Sequence, residues 1–164
     1  MNLSNIIKNT FLVILLSLMV SACASKKTTT TSSSDSQITG DVYTGTDTVE
    51  YLAKGVPDRV FFATNESILT TKSRDTLRKQ AAWLRENSNV NVVIEGHADE
   101  RGTREYNLAL GERRANAAKD YLMTYGISAD RISVISYGKE RPVDSGSNAL
   151  SWSKNRRSVT VKAN

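Results

Sequence analysis

The sequence predicts an α+β domain in which the helices cover one face of a small mixed sheet. Two long stretches with helical periodicity alternate with short apolar stretches typical of strands, and a further strand ends the chain. The resulting order, β-α-β-α-β-β, is typical of a two-layer sandwich. We assign this domain to residues 57–164, because the first 56 residues have a different composition.

The N-terminus, residues 1–22, has the pattern of a secretory signal. Lys8 precedes an apolar run at residues 11–20, which is shorter than the roughly 20 residues that a membrane-spanning helix needs. Val-Ser-Ala-Cys at residues 20–23 resembles the bacterial lipobox, in which the chain is cleaved before the cysteine and the new N-terminus is acylated. Cys23 is the only cysteine and so forms no internal disulfide. We predict that Cys23 is lipidated; the alternative is an ordinary signal with a chance cysteine.

The segment at residues 23–56 is rich in Ser, Thr and Gly and has few apolar residues. Such a composition buries too little surface to offset the entropy of ordering. We therefore predict a flexible tether. Residues 49–55 are the exception, since they either stay with the tether or order against the domain.

The first half of the domain has one strand and one helix. Residues 59–64 form the predicted strand, buried at Val60 and Phe62 or on both faces. Residues 71–87 form the helix, because apolar side chains recur there at helical spacing: Leu77, Ala81 and Leu84.

The second half contains the longest helix. Alternating apolar residues predict a strand at 90–96, and the helix follows at 103–125. Thr103 is a suitable N-cap, and Gly126 is the expected C′ residue. Strands are predicted at 132–137 and 158–162, with a short helical turn between them.

Residues 95–117 carry the candidate chemistry. Gly96 and Gly102 bound a loop that contains His97, Asp99, Glu100 and Arg101. On the helix that follows, three residues share one face: Asn107, Leu110 and Arg114. An acid on the loop and a guanidinium on the helix suit a ligand that carries both an ammonium and a carboxylate.

Four motifs resemble those of the OmpA-like domain family: GHADERG, EYNLALGERRA, ISYGKERP and SKNRR, in this order over roughly the last hundred residues. The resemblance implies that the ligand is peptidoglycan, bound through the diaminopimelate of its stem peptide. Asp99 would engage the ligand ammonium and Arg114 its carboxylate. The other pocket residues would be Asn107, Leu110, Thr64 and Asn65.

The same resemblance implies a cellular context. It predicts an outer-membrane lipoprotein that connects the outer membrane to the cell wall in the Tol–Pal system, supports envelope integrity and cell division, and has a TolB-like periplasmic partner. The sequence departs from the family at Ala63 and Asn65, where many relatives carry Asp. This departure concerns one wall of the pocket.

Several alternatives stand beside this interpretation. Asp99 and Arg114 could form an internal salt bridge. His97, Asp99 and Glu100 could bind a metal and make the chain a metal-dependent peptidoglycan hydrolase. Against this, the chain has a single His and no nucleophile motif, so we expect no catalysis, metal or cofactor.

A nucleic-acid partner is the least favoured alternative. The net charge is +5, but basic and acidic residues alternate along the chain, which indicates a solvated mixed surface. The longest basic cluster is Lys154, Arg156 and Arg157, beside Trp152. By resemblance, this cluster supports the fold beside the ligand site.

Overall fold

The computed structural model describes residues 38–163, and its elements are numbered here in chain order. The strands are β1 (Ile38–Thr39), β2 (Val42–Tyr43), β3 (Tyr51–Ala53), β4 (Val56–Pro57), β5 (Arg59–Phe61), β6 (Val92–His97), β7 (Ile132–Gly138) and β8 (Arg157–Lys162). The helices are α1 (Thr71–Glu86), α2 (Arg104–Thr124) and α3 (Ala149–Asn155).

Four of these strands form the central sheet, in the order β5-β8-β6-β7. The pair β6–β7 is parallel, whereas β8 runs antiparallel to both β5 and β6. The sheet is therefore mixed, and β8, the last strand of the chain, lies in its interior. This arrangement confirms the predicted α+β fold.

The two long helices begin where the sequence predicts. Thr70 caps α1 by accepting a hydrogen bond from the amide of Ser73, and Thr103 caps α2 by accepting one from the amide of Tyr106. Gly126 follows α2 with a φ of +84°, the left-handed conformation expected at C′.

The core lies between these helices and the sheet. The apolar stripe predicted for α1 contributes to it, together with apolar residues of α2 and residues in or beside the strands. Its members are Val60, Phe62, Leu77, Ala81, Leu84, Val92, Ile94, Ala115, Ala118, Leu122, Ile127 and Ile132.

Residues 38–48 correct one prediction, because this part of the expected flexible tether contains the antiparallel hairpin β1–β2. Residues 49–55, which the sequence left open, contribute to a second antiparallel hairpin, β3–β4. Tyr43 is fully buried, and its ring packs edge-on against Phe61 at 4.8 Å between centroids. Leu52 is also buried. The composition of the segment did not predict this, because a few large side chains that become buried against a folded domain are enough to order a polar segment.

The predicted signal at 1–22, Cys23 and the remainder of the tether, up to residue 37, lie outside the described residues. Within residues 38–163, no helix combines the length and the apolar character that crossing a membrane requires.

Candidate functional site

Two glycines bring α2 against the end of β6. A β-carbon added to Gly96 would lie 1.8 Å from the carbonyl oxygen of Gly111, and one added to Gly111 would lie 2.4 Å from the hydroxyl of Ser136. Only glycine permits such an approach of backbone to backbone. The loop after β6 and the first turns of α2 are therefore held together, which places the candidate residues of both in one region.

Asp99 lies in this loop and is 7% exposed. Its carboxylate accepts hydrogen bonds from Nε and Nη2 of Arg101 at 3.0 and 2.7 Å, and from Nη1 of Arg156 at 3.3 Å. Burial raises the pKa of Asp99, but the hydrogen bonds from Arg101 and Arg156 outweigh it and hold the pKa below its usual value. Asp99 is thus an anion shared by two arginines.

Arg114 is fully buried on α2. Its guanidinium donates to three backbone carbonyls: Glu66 at 2.8 Å, His97 at 2.9 Å and Ala63 at 3.0 Å. Burial, with the nearby charge of Arg156, lowers the pKa of Arg114 to about 10, so the group remains charged at neutral pH. A guanidinium has more N–H donors than these three carbonyls use.

Asp99 and Arg114 do not pair with each other in the part of the chain that the structure describes. The ion pairs of Asp99 are with Arg101 and Arg156. The internal Asp99–Arg114 salt bridge that the sequence left open is therefore absent from residues 38–163, and the two opposite charges are held apart.

Asn107 and Leu110 lie on the inner face of α2, as predicted, and both are buried. The amide of Asn107 donates to the carbonyl of Arg101 at 2.8 Å, which holds the loop that carries Asp99. Leu110 is 3% exposed. The geometry gives Asn107 a direct role in shaping the loop and gives Leu110 a packing role.

Thr64 and Asn65 line a pocket of about 330 Å³ together with Arg101, Gly102 and Tyr106. Asn65 has a φ of +57°, a conformation that Asn tolerates better than most residues. The hydroxyl of Thr64 accepts a hydrogen bond from Nη2 of Arg101 at 3.3 Å. The predicted wall residues therefore adjoin the arginine that covers Asp99.

Three further residues belong to this region and were not predicted as site residues. Arg101 pairs with Asp99, lines the pocket and lies 4.4 Å above the ring of Trp152. Arg156 is 2% exposed and bonds to Asp99. Asp41, from the β1–β2 hairpin, bonds to Arg156 and to the amide of Thr64.

A sequence signal existed for some of these residues. Arg101 follows Asp99 by two positions in the same loop, and Arg156 lies in the SKNRR motif, whose expected role beside the site agrees with its contacts. Asp41 carried no signal, because its partner Arg156 is 115 residues away.

The structure does not assemble the alternative metal site. The ring of His97 is 2% exposed and stacks against Tyr137 at 5.6 Å. Burial, followed by the charges of nearby arginines, lowers the pKa of His97 to about 3. Glu100 accepts a hydrogen bond from the indole of Trp152 at 2.8 Å. Over residues 38–163, no group of three or more His, Cys, Asp or Glu side chains is positioned to hold a metal ion.

A model of the OmpA family matches residues 61–156, which is more than half of the chain. The chain belongs to the OmpA family. The matched residues include both Asp99 and Arg114, so the site described above lies inside the family's domain.

Proteins named peptidoglycan-associated lipoprotein are among its relatives. The one from Mesorhizobium japonicum is 41% identical over 154 residues, which is 94% of this chain and 92% of that protein. The one from Rhizobium meliloti is 53% identical over 106 residues, which is 65% of this chain and 60% of that protein. The second match thus spans about three fifths of its relative.

Solved structures agree with the fold. The crystal structure of the peptidoglycan-associated lipoprotein from Burkholderia pseudomallei superposes with a TM-score of 0.63 at 35% identity, covering 65% of this chain and 90% of that one. The C-terminal domain of MotB from Helicobacter pylori gives 0.61 at 18% identity, covering 65% and 84%. The MotB likeness indicates the fold alone.

Proposed function

We propose that the chain is a lipoprotein of the outer membrane whose domain binds peptidoglycan without covalent attachment, through the diaminopimelate of the stem peptide. The relatives' name supports the peptidoglycan ligand and the lipoprotein class. The chemistry of the site supports the particular group that is recognised.

The observation that carries this proposal is the separation of Asp99 and Arg114. One is an anion and the other a buried cation, and each is held by other partners. The free end of diaminopimelate carries an ammonium and a carboxylate on one carbon. A ligand with both charges matches both residues, whereas a ligand with one charge leaves the other residue unmatched.

Ligand entry requires Asp99 to release one of its two arginines. The exposed fractions of the two arginine side chains indicate which one is released. The side chain of Arg101 is 42% exposed, while that of Arg156 is 2% exposed. Displacing Arg101 into solvent costs little, because a half-exposed guanidinium is readily rehydrated. In this proposal, the ligand ammonium takes the place of Arg101 on Asp99.

Arg114 serves as the fixed end of the site. Its three bonds to carbonyls orient the guanidinium before any ligand arrives, so little side-chain entropy is lost on binding. In this proposal, its remaining N–H donors bind the ligand carboxylate.

The wider context is also part of the proposal. Acylation of Cys23 would anchor the chain in the outer membrane, and the domain would act in the periplasm within the Tol–Pal system, with a TolB-like partner and a role in cell division. The protein would bind the cell wall and would not hydrolyse it. Purified sacculi incubated with it should release no soluble fragments.

The test is co-sedimentation of the purified protein with sacculi that contain diaminopimelate. The wild type should sediment, and Asp99→Asn, which removes the charge at nearly constant shape, should remain in the supernatant. Asp75→Asn is the matched control, because Asp75 is an exposed acid on α1 that pairs with Arg78. Equal sedimentation of wild type and Asp99→Asn would disprove the assignment of Asp99.

A further inference from the structure

The turn of the β1–β2 hairpin presents an acid to the site. Gly40 and Asp41 are its two central residues, with φ of +54° and +69°, as in the two-residue turns typical of tight hairpins. One carboxylate oxygen of Asp41 accepts a hydrogen bond from the amide of Thr64 at 2.7 Å, and the other lies 2.9 Å from Nη2 of Arg156. Asp41 therefore contacts both the pocket wall and an arginine of the site.

Arg156 connects this acid to Asp99. Its Nη1 bonds to Asp99 and its Nη2 to Asp41, and it is 2% exposed. Partial burial raises the pKa of Asp41, but hydrogen bonds from Thr64 and the charges of Arg156 and Arg101 lower it by more. The pKa of Asp41 therefore lies below its usual value, and the carboxylate is ionised. One buried guanidinium is thus shared between two carboxylates.

This sharing changes the charge that Asp99 offers to a ligand. In the described chain, the buried Arg156 pairs with two carboxylates, Asp41 and Asp99. If Asp41 were removed, Asp99 would be the carboxylate that remains. Asp99 would then be more fully neutralised, and the site would gain one unit of positive charge. Both effects oppose the binding of an ammonium.

The hairpin is docked on the domain by contacts other than those of Asp41. Tyr43 packs against Phe61, the ammonium of Lys72 donates to the carbonyl of Thr44 at 2.7 Å, and Asp47 pairs with Lys154 at 2.9 Å. Asp41 is therefore held in place by a folded element and is not a chance contact of a loose segment.

We propose that Asp41 is a positioning residue of the ligand site, and that docking of the β1–β2 hairpin and binding of the zwitterionic end of the stem peptide support each other. The inference rests on the proposed function, because it concerns the same site. Coupling of this kind is reciprocal: if the docked hairpin raises affinity for the ligand, the ligand must stabilise the docked hairpin.

The first experiment measures affinity by calorimetry, using the purified full chain and a soluble stem peptide that contains diaminopimelate. Asp41→Asn removes the charge but keeps an amide oxygen for the Thr64 amide and tolerates the left-handed conformation. It should bind at least about tenfold more weakly than the wild type. Asp75→Asn is the matched control, since it removes the same charge from an exposed position on α1, outside the hairpin, where Asp75 pairs with Arg78, and its affinity should equal that of the wild type.

The second experiment detects the coupling itself. Hydrogen exchange at the backbone amides of β1 and β2 should slow when the wild type is saturated with the peptide, and it should slow less in Asp41→Asn. A purely structural role for Asp41 would change exchange in the free protein but would not make the change depend on ligand.

The outcomes separate the two proposals. If the wild type fails to bind the peptide, the proposed function is wrong and this inference fails with it. If the wild type binds and Asp41→Asn binds equally well, this inference alone is wrong. Tighter binding by Asp41→Asn would also overturn it, because Asp41 would then compete with the ligand carboxylate.

Discussion

Gly111 on α2 lies directly against Gly96 on β6, so that a β-carbon on Gly96 would meet the carbonyl oxygen of Gly111 at 1.8 Å. One turn further along the same helix, Arg114 donates to the carbonyl of His97, the residue that follows Gly96. The close approach of the two glycines thus sets the depth at which the guanidinium enters the domain.

We expect both Gly96→Ala and Gly111→Ala to lower the free energy of unfolding, by about 1–3 kcal/mol or more, because the added methyl forces packed backbone apart. Gly96→Ala should cost more, since it meets backbone. The methyl at Gly111 first meets the hydroxyl of Ser136 at 2.4 Å. In urea titrations, adding Ser136→Ala should therefore reduce the loss of unfolding free energy caused by Gly111→Ala, but not the loss caused by Gly96→Ala. An equal effect of Ser136→Ala on both variants would contradict the contact between residue 111 and Ser136.

Arg114→Ala should destabilise the fold as well as abolish binding, because it leaves three carbonyls without a donor and opens a cavity. We expect a loss of about 3 kcal/mol or more in the free energy of unfolding. Arg113→Ala, at the exposed neighbouring position, is the control and should change stability by less than about 0.5 kcal/mol.

Ligand choice should follow the two charges of the site. A stem peptide with lysine in place of diaminopimelate lacks the carboxylate for Arg114, and an amidated diaminopimelate lacks its charge. We expect either to bind at least about tenfold more weakly, a difference of roughly 1.4 kcal/mol. A competition assay against the diaminopimelate peptide measures this, and equal affinity for the lysine peptide would show that Arg114 does not select the ligand.

His97 should make stability depend on pH. Its pKa is about 3 in the folded protein and roughly 6.5 when unfolded. Between these values the unfolded chain binds a proton that the folded chain does not, so stability must fall as pH falls, by up to about 1.4 kcal/mol per pH unit.

The measurement is the free energy of unfolding from pH 7 down to about 4.5, above the range in which carboxylates dominate. His97→Phe keeps a ring against Tyr137 and removes the proton site. Both ring nitrogens of His97 are buried without a hydrogen-bond partner in the described chain, and Nε2 lies 3.6 Å from Glu95. A slope in His97→Phe equal to that of the wild type would exclude His97 as the cause.

Cys23→Ser should move the protein from the membrane fraction to the soluble periplasmic fraction, because stable anchoring depends on acyl chains. Fractionation followed by detection of the protein measures this. The wild type should also incorporate radiolabelled palmitate. Failure of the label to enter the wild type would disprove the predicted lipobox.

The order of the two long helices and of the four strands in the central sheet could be predicted, because it depends on local patterns. Apolar residues recur at helical spacing in α1, at Leu77, Ala81 and Leu84. In α2, Thr103 is the N-cap and Gly126 is the C′ residue, and both residue types are typical of these positions. The boundaries were less exact: β5 ends at Phe61, not at residue 64, and β6 begins at Val92, not at residue 90. Strand ends depend on pairing with neighbouring strands, which a single segment does not specify.

The sequence by itself also predicted Asp99 and Arg114 as ligand-binding residues, because they stand in two motifs that resemble those of the OmpA-like family. The tertiary structure decided what holds each of them. Arg156 contacts Asp99 although the two residues are 57 positions apart in the chain. Arg114 donates to backbone carbonyls, and every residue has a carbonyl, so the sequence does not indicate which ones it will contact. Asp41 joins them because its hairpin is docked on the domain, where the ring of Tyr43 packs against Phe61. Such contacts depend on the shape of the whole folded surface, and no local pattern encodes that shape.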